Sequence, residues 1–274
     1  MQDILQEIIV HKRQEVAEQQ GKVSLSELQQ KVYALQKEER GCRQYSMKAA
    51  LANSSTGIIA EFKRRSPSKG WINEKADVAS ITQSYVHAGA SALSVLTDSP
   101  FFGGCLEDII QIRQSVEIPI LRKDFIVDEY QLFEARAVGA NAILLIASVL
   151  TVEECKRLAE KAHELQLEVL LEIHHEGELN HINSSIDMLG VNNRNLGTFV
   201  TSISNSIQLI DKLPKELLLI SESGISEPET IKQLRGLGFR GFLIGETFMK
   251  TEKAGETLQG FIHEINRITE NKRL

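Results

Sequence analysis

From about residue 56 onward, short and almost continuous apolar runs alternate with longer amphipathic stretches. The apolar runs begin near Gly57, Ala92, Ile118, Ala142, Glu168, Asp187, Leu217 and Gly241, and each is too short for a helix and rich in Ile, Leu and Val. Continuous apolarity, as opposed to strict alternation, is what a strand covered on both faces requires, so these runs predict a parallel sheet. The amphipathic stretches carry helix start and stop signals. Asp128 precedes a helical pattern, Thr151 with Glu154 and Ser226 with Glu229 have the spacing of a capping box, and Gly89, Gly139 and Gly238 close their segments. Eight strand-then-helix units predict a closed (β/α)8 TIM barrel. An open, doubly wound sheet is the alternative, but nothing in the pattern marks a reversal of strand order.

The first 50 or so residues contain no such run. Ile4, Leu5, Ile8 and Ile9 recur at helical spacing, and Leu25, Leu28, Val32 and Leu35 do so again behind Ser24 or Ser26 as a cap. Residues 1–274 therefore read as one barrel domain with residues 1–50 as an N-terminal helical extension, which either packs on the outside of the barrel or covers its mouth.

Composition narrows the function. A hydrophobic fraction of 42% and a charged fraction of 25% are those of an ordinary folded domain. A formal charge of −6 argues against nucleic acid as a partner, and leaves any anionic ligand in need of a local positive site. Cys42, Cys105 and Cys155 form no C-x-x-C pair and are odd in number, which points to the reducing cytoplasm. No basic leader and no apolar run of the roughly 18 residues needed for a span is found, so no membrane association is expected.

In a barrel the reactive groups stand at the C-terminal ends of strands, so charged residues there carry the chemistry. The first run ends Glu61-Phe62-Lys63, where the two-residue period turns both charges to one side. The third ends Lys123-Asp124, the fifth holds Glu172, the sixth ends Asn192-Asn193-Arg194, and the seventh ends Glu222-Ser223-Gly224. Any one of these could be a salt bridge closing the barrel rim. As a set, convergent lysines and glutamates in a low dielectric suit proton transfer. Ser223-Gly224 after the seventh run and Gly245-Glu246 after the eighth have the small residues and short helix start where barrels hold phosphate. Gly236, Gly238 and Gly241 match G-x-G-x-x-G but precede a strand, so a dinucleotide site is not expected. His174, His175 and His181 lack metal-ligand spacing and read as surface or loop histidines.

Taken together the motifs resemble the indole-3-glycerol phosphate synthase family over nearly the whole chain. The resemblance rests on I-A-E-F-K-R-R-S-P-S-K-G (59–70), L-S-V-L-T-D (93–98) with F-F-G-G (101–104), L-R-K-D-F-I (121–126), L-L-E-I (170–173), G-V-N-N-R-N-L (190–196), S-E-S-G-I (221–225) and L-I-G-E (243–246). It implies a TIM barrel with a helical extension, and ring closure of 1-(2-carboxyphenylamino)-1-deoxyribulose 5-phosphate to indole-3-glycerol phosphate, carbon dioxide and water in tryptophan biosynthesis. By the same resemblance Lys123 is the general acid on the keto oxygen, and Lys63, Glu61 and Glu172 are candidates for the second acid and the base. Asn192 and Glu222 orient the anilino and ribulose portions, and Arg194 with Lys63 meets the carboxylate. Phe125 and Leu196 sandwich the aromatic ring, while Ser66, Ser223, Gly224, Gly245 and Glu246 contact phosphate, Glu246 through its amide. No cofactor and no metal is implied, and the expected partner is a phosphorylated small molecule. The working state is expected to be a monomer or weak homo-oligomer, open to association with pathway enzymes. Trp71 and Cys105 depart from the family's usual residues without removing a catalytic group.

Two other readings compete. A related phosphate-binding barrel, such as a phosphoribosylanthranilate isomerase, would want a cysteine or aspartate acid–base pair at strand ends, whereas the cysteines here fall in expected helices or loops and the lysines and glutamates fit ring closure. A non-catalytic barrel that only binds a phosphorylated metabolite would have a disrupted acid–base set, yet Glu61, Lys63, Lys123 and Glu172 are all present.

Overall fold

In the computed structural model, which describes residues 4–38, 45–195, 197 and 199–270, every apolar run forms a strand. They are β1 (Ile58–Phe62), β2 (Ala92–Leu96), β3 (Ile120–Lys123), β4 (Ala142–Ile146), β5 (Glu168–Ile173), β6 (Met188–Asn192), β7 (Leu218–Glu222) and β8 (Gly241–Ile244). Each pairs in parallel with its sequence neighbours, and β8 returns to β1 through Ile58 opposite Phe242 and Ala60 opposite Ile244, closing the barrel. Closure explains the continuous apolarity. Ile59, Leu121, Leu144, Leu170, Ile220 and Leu243 fill the interior, while their alternates Ile58, Ile120, Leu145, Leu171, Leu219 and Phe242 pack in the larger cluster beneath the helices.

The helices that follow the strands are α4 (Val78–Ala88), α5 (Ser99–Phe102), α6 (Leu106–Arg113), α7 (Tyr130–Ala137), α8 (Val152–Glu164), α9 (Ser204–Leu209), α10 (Pro228–Leu237), α11 (Glu246–Met249) and α12 (Ala254–Glu270). One unit departs from the expected pattern: β5 is followed by a 3-10 turn over Glu176–His181 in place of an α-helix. Thr151 and Glu154 form the predicted reciprocal capping box. Ser226 and Glu229 do not, because Pro228 occupies the first turn of α10 and makes Glu227 the cap residue, with no side-chain cap bond. Gly89 and Gly238 end their helices in the left-handed conformation, and Gly139 is left-handed one residue beyond α7 and its cap Val138. No helix among the described residues is long and apolar enough to cross a membrane.

Three helices precede the barrel, and they occupy three different places. α1 (Ile4–Lys22) lies at the mouth, where Ile4, Leu5 and Ile8 join the cavity wall. α2 (Leu25–Glu38), capped by Ser24 with Glu27 Oε2 accepting from the Ser24 amide at 2.8 Å, packs outside against α7. α3 (Met47–Asn53) plugs the opposite end. The Met47 amide donates to Glu168 at the start of β5 (2.6 Å), and Met47 and Leu51 are buried among the interior residues. The extension thus both packs outside and covers the mouth.

Lys12 fastens α1. Its ammonium is 1% exposed and lies 3.0 Å from Asp98, 3.0 Å from Asp124 and 2.9 Å from Glu15. Asp98 and Asp124 follow β2 and β3, so this contact ties the roof to the ends of two strands. Burial works against the Lys12 charge, but the carboxylates of Asp124, Asp98 and Glu15 outweigh it and raise the ammonium's pKa. Lys12→Met leaves two buried carboxylates without this cation and is expected to lower unfolding free energy by about 3–5 kcal/mol in urea titration. A loss below about 1 kcal/mol would mean that Arg122 and solvent already satisfy them.

Candidate active site

The two-residue period of a strand decides which side chains face the barrel axis. Leu121, Leu170 and Ile220 belong to the interior cluster, so Lys123, Glu172 and Glu222, each two residues further on, also face inward at the C-terminal end. Glu61 and Asn192 follow by the same alternation, with Asn192 opposite Glu222 in register. The resulting layer is a connected set of charges. Lys123 Nζ donates to Glu172 Oε2 at 3.1 Å and lies 3.7 Å from Glu222 Oε2, while Asn192 Nδ2 donates to Glu172 Oε1 at 3.1 Å. Lys63 Nζ donates to Glu61 Oε1 at 2.5 Å. The carboxylates of Glu61, Glu172 and Glu222 are 5%, 2% and 1% exposed, so water does little to screen them.

Two glycines make room for these carboxylates. A Cβ on Gly190 would collide with Glu222 Oε1, and one on Gly245 would collide with Glu61 Oε1. Any larger residue at either position would displace an acid from the layer.

Burial and the neighbouring charges divide the acids. Burial and the adjacent Glu172 carboxylate push Glu222 up to about 8, with Lys123 opposing. Glu172 goes the other way. Burial would raise it, but the Lys123 charge, with His174 and Asn192, holds it below the usual carboxylate range. Burial likewise disfavours the Lys123 ammonium, yet Glu172 and Glu222 outweigh it and raise its pKa. The site therefore holds a fixed ammonium, a fixed carboxylate and a carboxyl that keeps its proton near neutrality, arranged around one cavity.

That cavity is about 530 Å³ and is walled by Glu61, Lys63, Ser66, Lys123, Phe125, Glu172, Asn192, Arg194, Glu222, Ser223, Gly224, Gly245 and Glu246. Of the candidate site residues named from the sequence, Leu196 lies outside the described residues. The rim is polar. Ser223 and Gly224 both have positive φ, 67° and 76°, a conformation that costs a non-glycine residue roughly 1–2 kcal/mol and that brings successive backbone amides to the turn after β7. Asn193 secures this turn by donating to Ser221 Oγ (2.9 Å) and to the Ser223 carbonyl (3.1 Å). Arg194 donates to Ser68 Oγ at 2.8 Å and lies 3.6 Å from the Glu246 carboxylate, which Lys69 also approaches at 3.8 Å. Phe125 and Phe102, 6.0 Å apart between ring centres, line an apolar side with Leu144 and Ile146.

Several sequence expectations change here. Residues 66–70 sit in a small hairpin in which Arg65 pairs with Trp71 and Ser66 with Gly70. His175 is exposed as expected, but His181 is buried between the Leu150 and Glu178 carbonyls (2.9 and 3.1 Å), and His174 packs against Glu172. The adjacent-histidine spelling hid this, because the burial of His174 depends on how the segment after β5 folds back, with Glu178 meeting its ring. Among the described residues no group of three or more His, Cys, Asp or Glu is placed to hold a metal ion. Cys105 caps α6 and Cys155 is buried in α8, neither at a strand end; Cys42 lies outside the described residues. Gly236 lies in the last turn of α10, Gly238 caps that helix and Gly241 begins β8.

Comparison with known proteins agrees with this arrangement. Residues 5–261 match the family model described as indole-3-glycerol phosphate synthase. A protein of that name from Bacteroides thetaiotaomicron is 59% identical over 265 residues, covering 97% of this chain and 100% of the relative. Another of that name, from Acidithiobacillus ferrooxidans, is 42% identical over 260 residues, covering 94% and 98%. Among solved structures, tryptophan synthase subunit alpha from Legionella pneumophila superposes with a TM-score of 0.60 at 16% identity, covering 82% of this chain and 100% of that one. At so low an identity the last likeness concerns the barrel alone. The family match across nearly the whole chain and the 59% identity establish that this chain belongs to the indole-3-glycerol phosphate synthase family.

Proposed function

We propose that the chain catalyses the reaction its family is named for. It closes the ring of 1-(2-carboxyphenylamino)-1-deoxyribulose 5-phosphate and releases indole-3-glycerol phosphate, carbon dioxide and water. The observation that carries this reading is Lys123, held between two buried carboxylates in the same cavity whose rim is formed by Ser223, Gly224 and Gly245.

In this reading the ring carbon that bears the carboxylate attacks the keto carbon, and Lys123 Nζ gives its proton to the keto oxygen. Glu172 and Glu222 keep Lys123 charged. The proton is therefore in place when attack makes that oxygen alkoxide-like and far more basic than the ammonium. The bond to the carboxylate then breaks, carbon dioxide leaves, and the bonding electrons restore the aromatic ring. Loss of the new hydroxyl as water requires a second acid and a base, roles that fit Lys63 and Glu61, which are paired with each other. Asn192 and the protonated Glu222 orient the anilino nitrogen and the ribulose hydroxyls. Arg194 and Lys63 meet the substrate carboxylate.

Phe125 and Leu196 take the aromatic ring. Ser66, Ser223, Gly224, Gly245 and the Glu246 amide receive the phosphate; the Glu246 carboxylate, turned toward Arg194 and Lys69, is directed away from that role. The cytoplasm is the proposed compartment, in keeping with the free thiols Cys105 and Cys155, and a monomer or weak homo-oligomer the proposed working state.

Purified protein incubated with the carboxyphenylamino substrate is expected to develop indole fluorescence, and its absence would sink the assignment. Lys123→Ala should lower kcat by about a hundred- to ten-thousand-fold with an unchanged circular dichroism spectrum. Near wild-type turnover would remove Lys123 from the mechanism.

The donor role of Glu222 depends on a proton retained up to about 8, against the ordinary 4.5. The folded state therefore binds one more proton than the unfolded chain between those values. This contribution to stability is full below the unfolded pKa and is lost as pH rises through the folded one. Glu222→Gln, neutral throughout, lacks that loss. Its unfolding free energy relative to wild type should rise between about pH 5 and about pH 8 in urea titrations, and a pH-independent difference would mean that Glu222 is ionised in the folded protein.

A further inference from the structure

His174 is a largely buried ionisable group in direct contact with the acid–base layer that the ring-closure steps leave without a part. It is two residues beyond Glu172 and one past the end of β5, in the bend that leads into the 3-10 turn. Its Nε2 lies 3.3 Å from Glu172 Oε1, and its Nδ1 lies 3.6 Å from Glu178 Oε2, with 10% of the ring exposed. Glu172 is in the cavity wall and His174 is not. The imidazole meets one carboxylate oxygen of Glu172 while Lys123 meets the other.

Its backbone is fixed as firmly as its ring. The His174 amide donates to Glu178 Oε2 at 2.5 Å, and Asn205 Nδ2 donates to both the His174 and the Asn192 carbonyls at 2.9 Å. Asn205 thereby locks the ends of β5 and β6 together, and these are the ends that carry Glu172 and its partner Asn192. Glu178, itself 5% exposed, is held on its other oxygen by His175 at 3.3 Å. His174 has no freedom to swing away from Glu172 without abandoning a second buried carboxylate.

We propose that His174 is a positioning residue for the ring-closure reaction: clamped between Glu178 and Glu172, it orients the Glu172 carboxylate for Lys123 and Asn192 and keeps the proton of the carboxyl pair on Glu222. This rests on the reading of the site as a ring-closing centre. The electrostatics agree with the geometry. Burial opposes a charge on His174, but contact with Glu172 and Glu178 outweighs it and raises the ring to about 10, so it is a cation at neutral pH. The charged and titratable groups facing it are Glu172 from β5 and Glu178 from the following turn. Lys123 from β3 approaches Glu172 Oε2, and Glu222 from β7 is beside both Glu172 and Lys123. Two cations, one at each oxygen of Glu172, make it the poorer site for the shared proton, and Glu222 retains that proton.

Two variants and two readouts test this. His174→Phe keeps the ring volume without a charge or donor, and His174→Gln keeps a donor without the charge. Carbon-13 NMR of protein labelled at the glutamate side-chain carboxyl, with Glu222 assigned through Glu222→Gln, follows the proton directly and needs no turnover. Removing a cation from beside the pair raises its affinity for protons, so the Glu222 transition should move upward from about 8 in both variants. In kinetics with the carboxyphenylamino substrate, His174→Phe should lower kcat about ten- to a hundred-fold with KM changed less than about threefold. His174→Gln should recover part of kcat without restoring the transition. An unchanged Glu222 titration in folded variants, or a His174→Phe kcat within about twofold of wild type, overturns the proposal. Wild-type protein that titrates as described but forms no indole product would count against ring closure and leave the His174–Glu172 coupling standing, so the two readings fail separately.

Discussion

A charge withdrawn from water must find an opposite charge or give up its own, and the upper layer of this barrel is organised by that requirement. Three glutamates, Glu61, Glu172 and Glu222, are almost wholly buried within one ring of strands. Left alone they would repel one another and take up protons. Lys123 satisfies Glu172 directly and Glu222 more distantly, Lys63 satisfies Glu61, and the remaining imbalance resides as a proton on Glu222. The same arithmetic that makes the layer tolerable gives it an acid and a base at neutral pH, so the stability requirement and the chemical requirement are met by one set of contacts.

Around this layer the structure spends further buried charge on holding things in place. Behind β3, Arg122 faces outward and reaches Asp124, Glu134, the Gln131 carbonyl and Thr97, while Lys12 comes down from α1 to Asp98 and Asp124. Asp124 is the point at which the two systems meet, and it sits between Lys123 and Phe125 in the chain. The roof helix, Lys123 and the apolar wall are therefore positioned by one carboxylate. Asp124 itself reaches the cavity wall, and a shift of the cations that hold it would move that wall.

The division of labour across the cavity is also physical. The deep layer is dry and carries opposite charges in contact, which suits proton transfer. The rim after β7 and β8 offers backbone amides in a strained turn, with Arg194 and Lys69 nearby but engaged with Glu246. An anion can be met there by amides that need no titration, leaving the lysines of the deep layer for the reaction.

Most of the fold could be read from the chain. Strands covered on both faces cannot alternate, so eight short continuous runs of Ile, Leu and Val announced a parallel barrel, and all eight appear where the runs lie. The strand period was also enough to place Glu61 beside Lys63, and to put Lys123, Glu172, Asn192 and Glu222 at strand ends. Local spacing could not say how groups from different strands meet. That Lys123 bridges Glu172 and Glu222 depends on the closing of the barrel, which brings β3, β5 and β7 to one axis. For the same reason His174 looked like a loop histidine: its partner Glu178 comes from a 3-10 turn where a helix was expected, and its burial comes from α9 packing over the strand ends. The part played by α1 was open between two answers because helical periodicity marks an apolar face without saying what covers it. Lys12 decides it, and a lysine in a polar stretch of helix carries no sign in sequence that it will be buried against two carboxylates more than eighty residues away. Periodicity is a local property and determined the elements; the matching of buried charges is a property of the closed barrel, and only the tertiary structure could decide it.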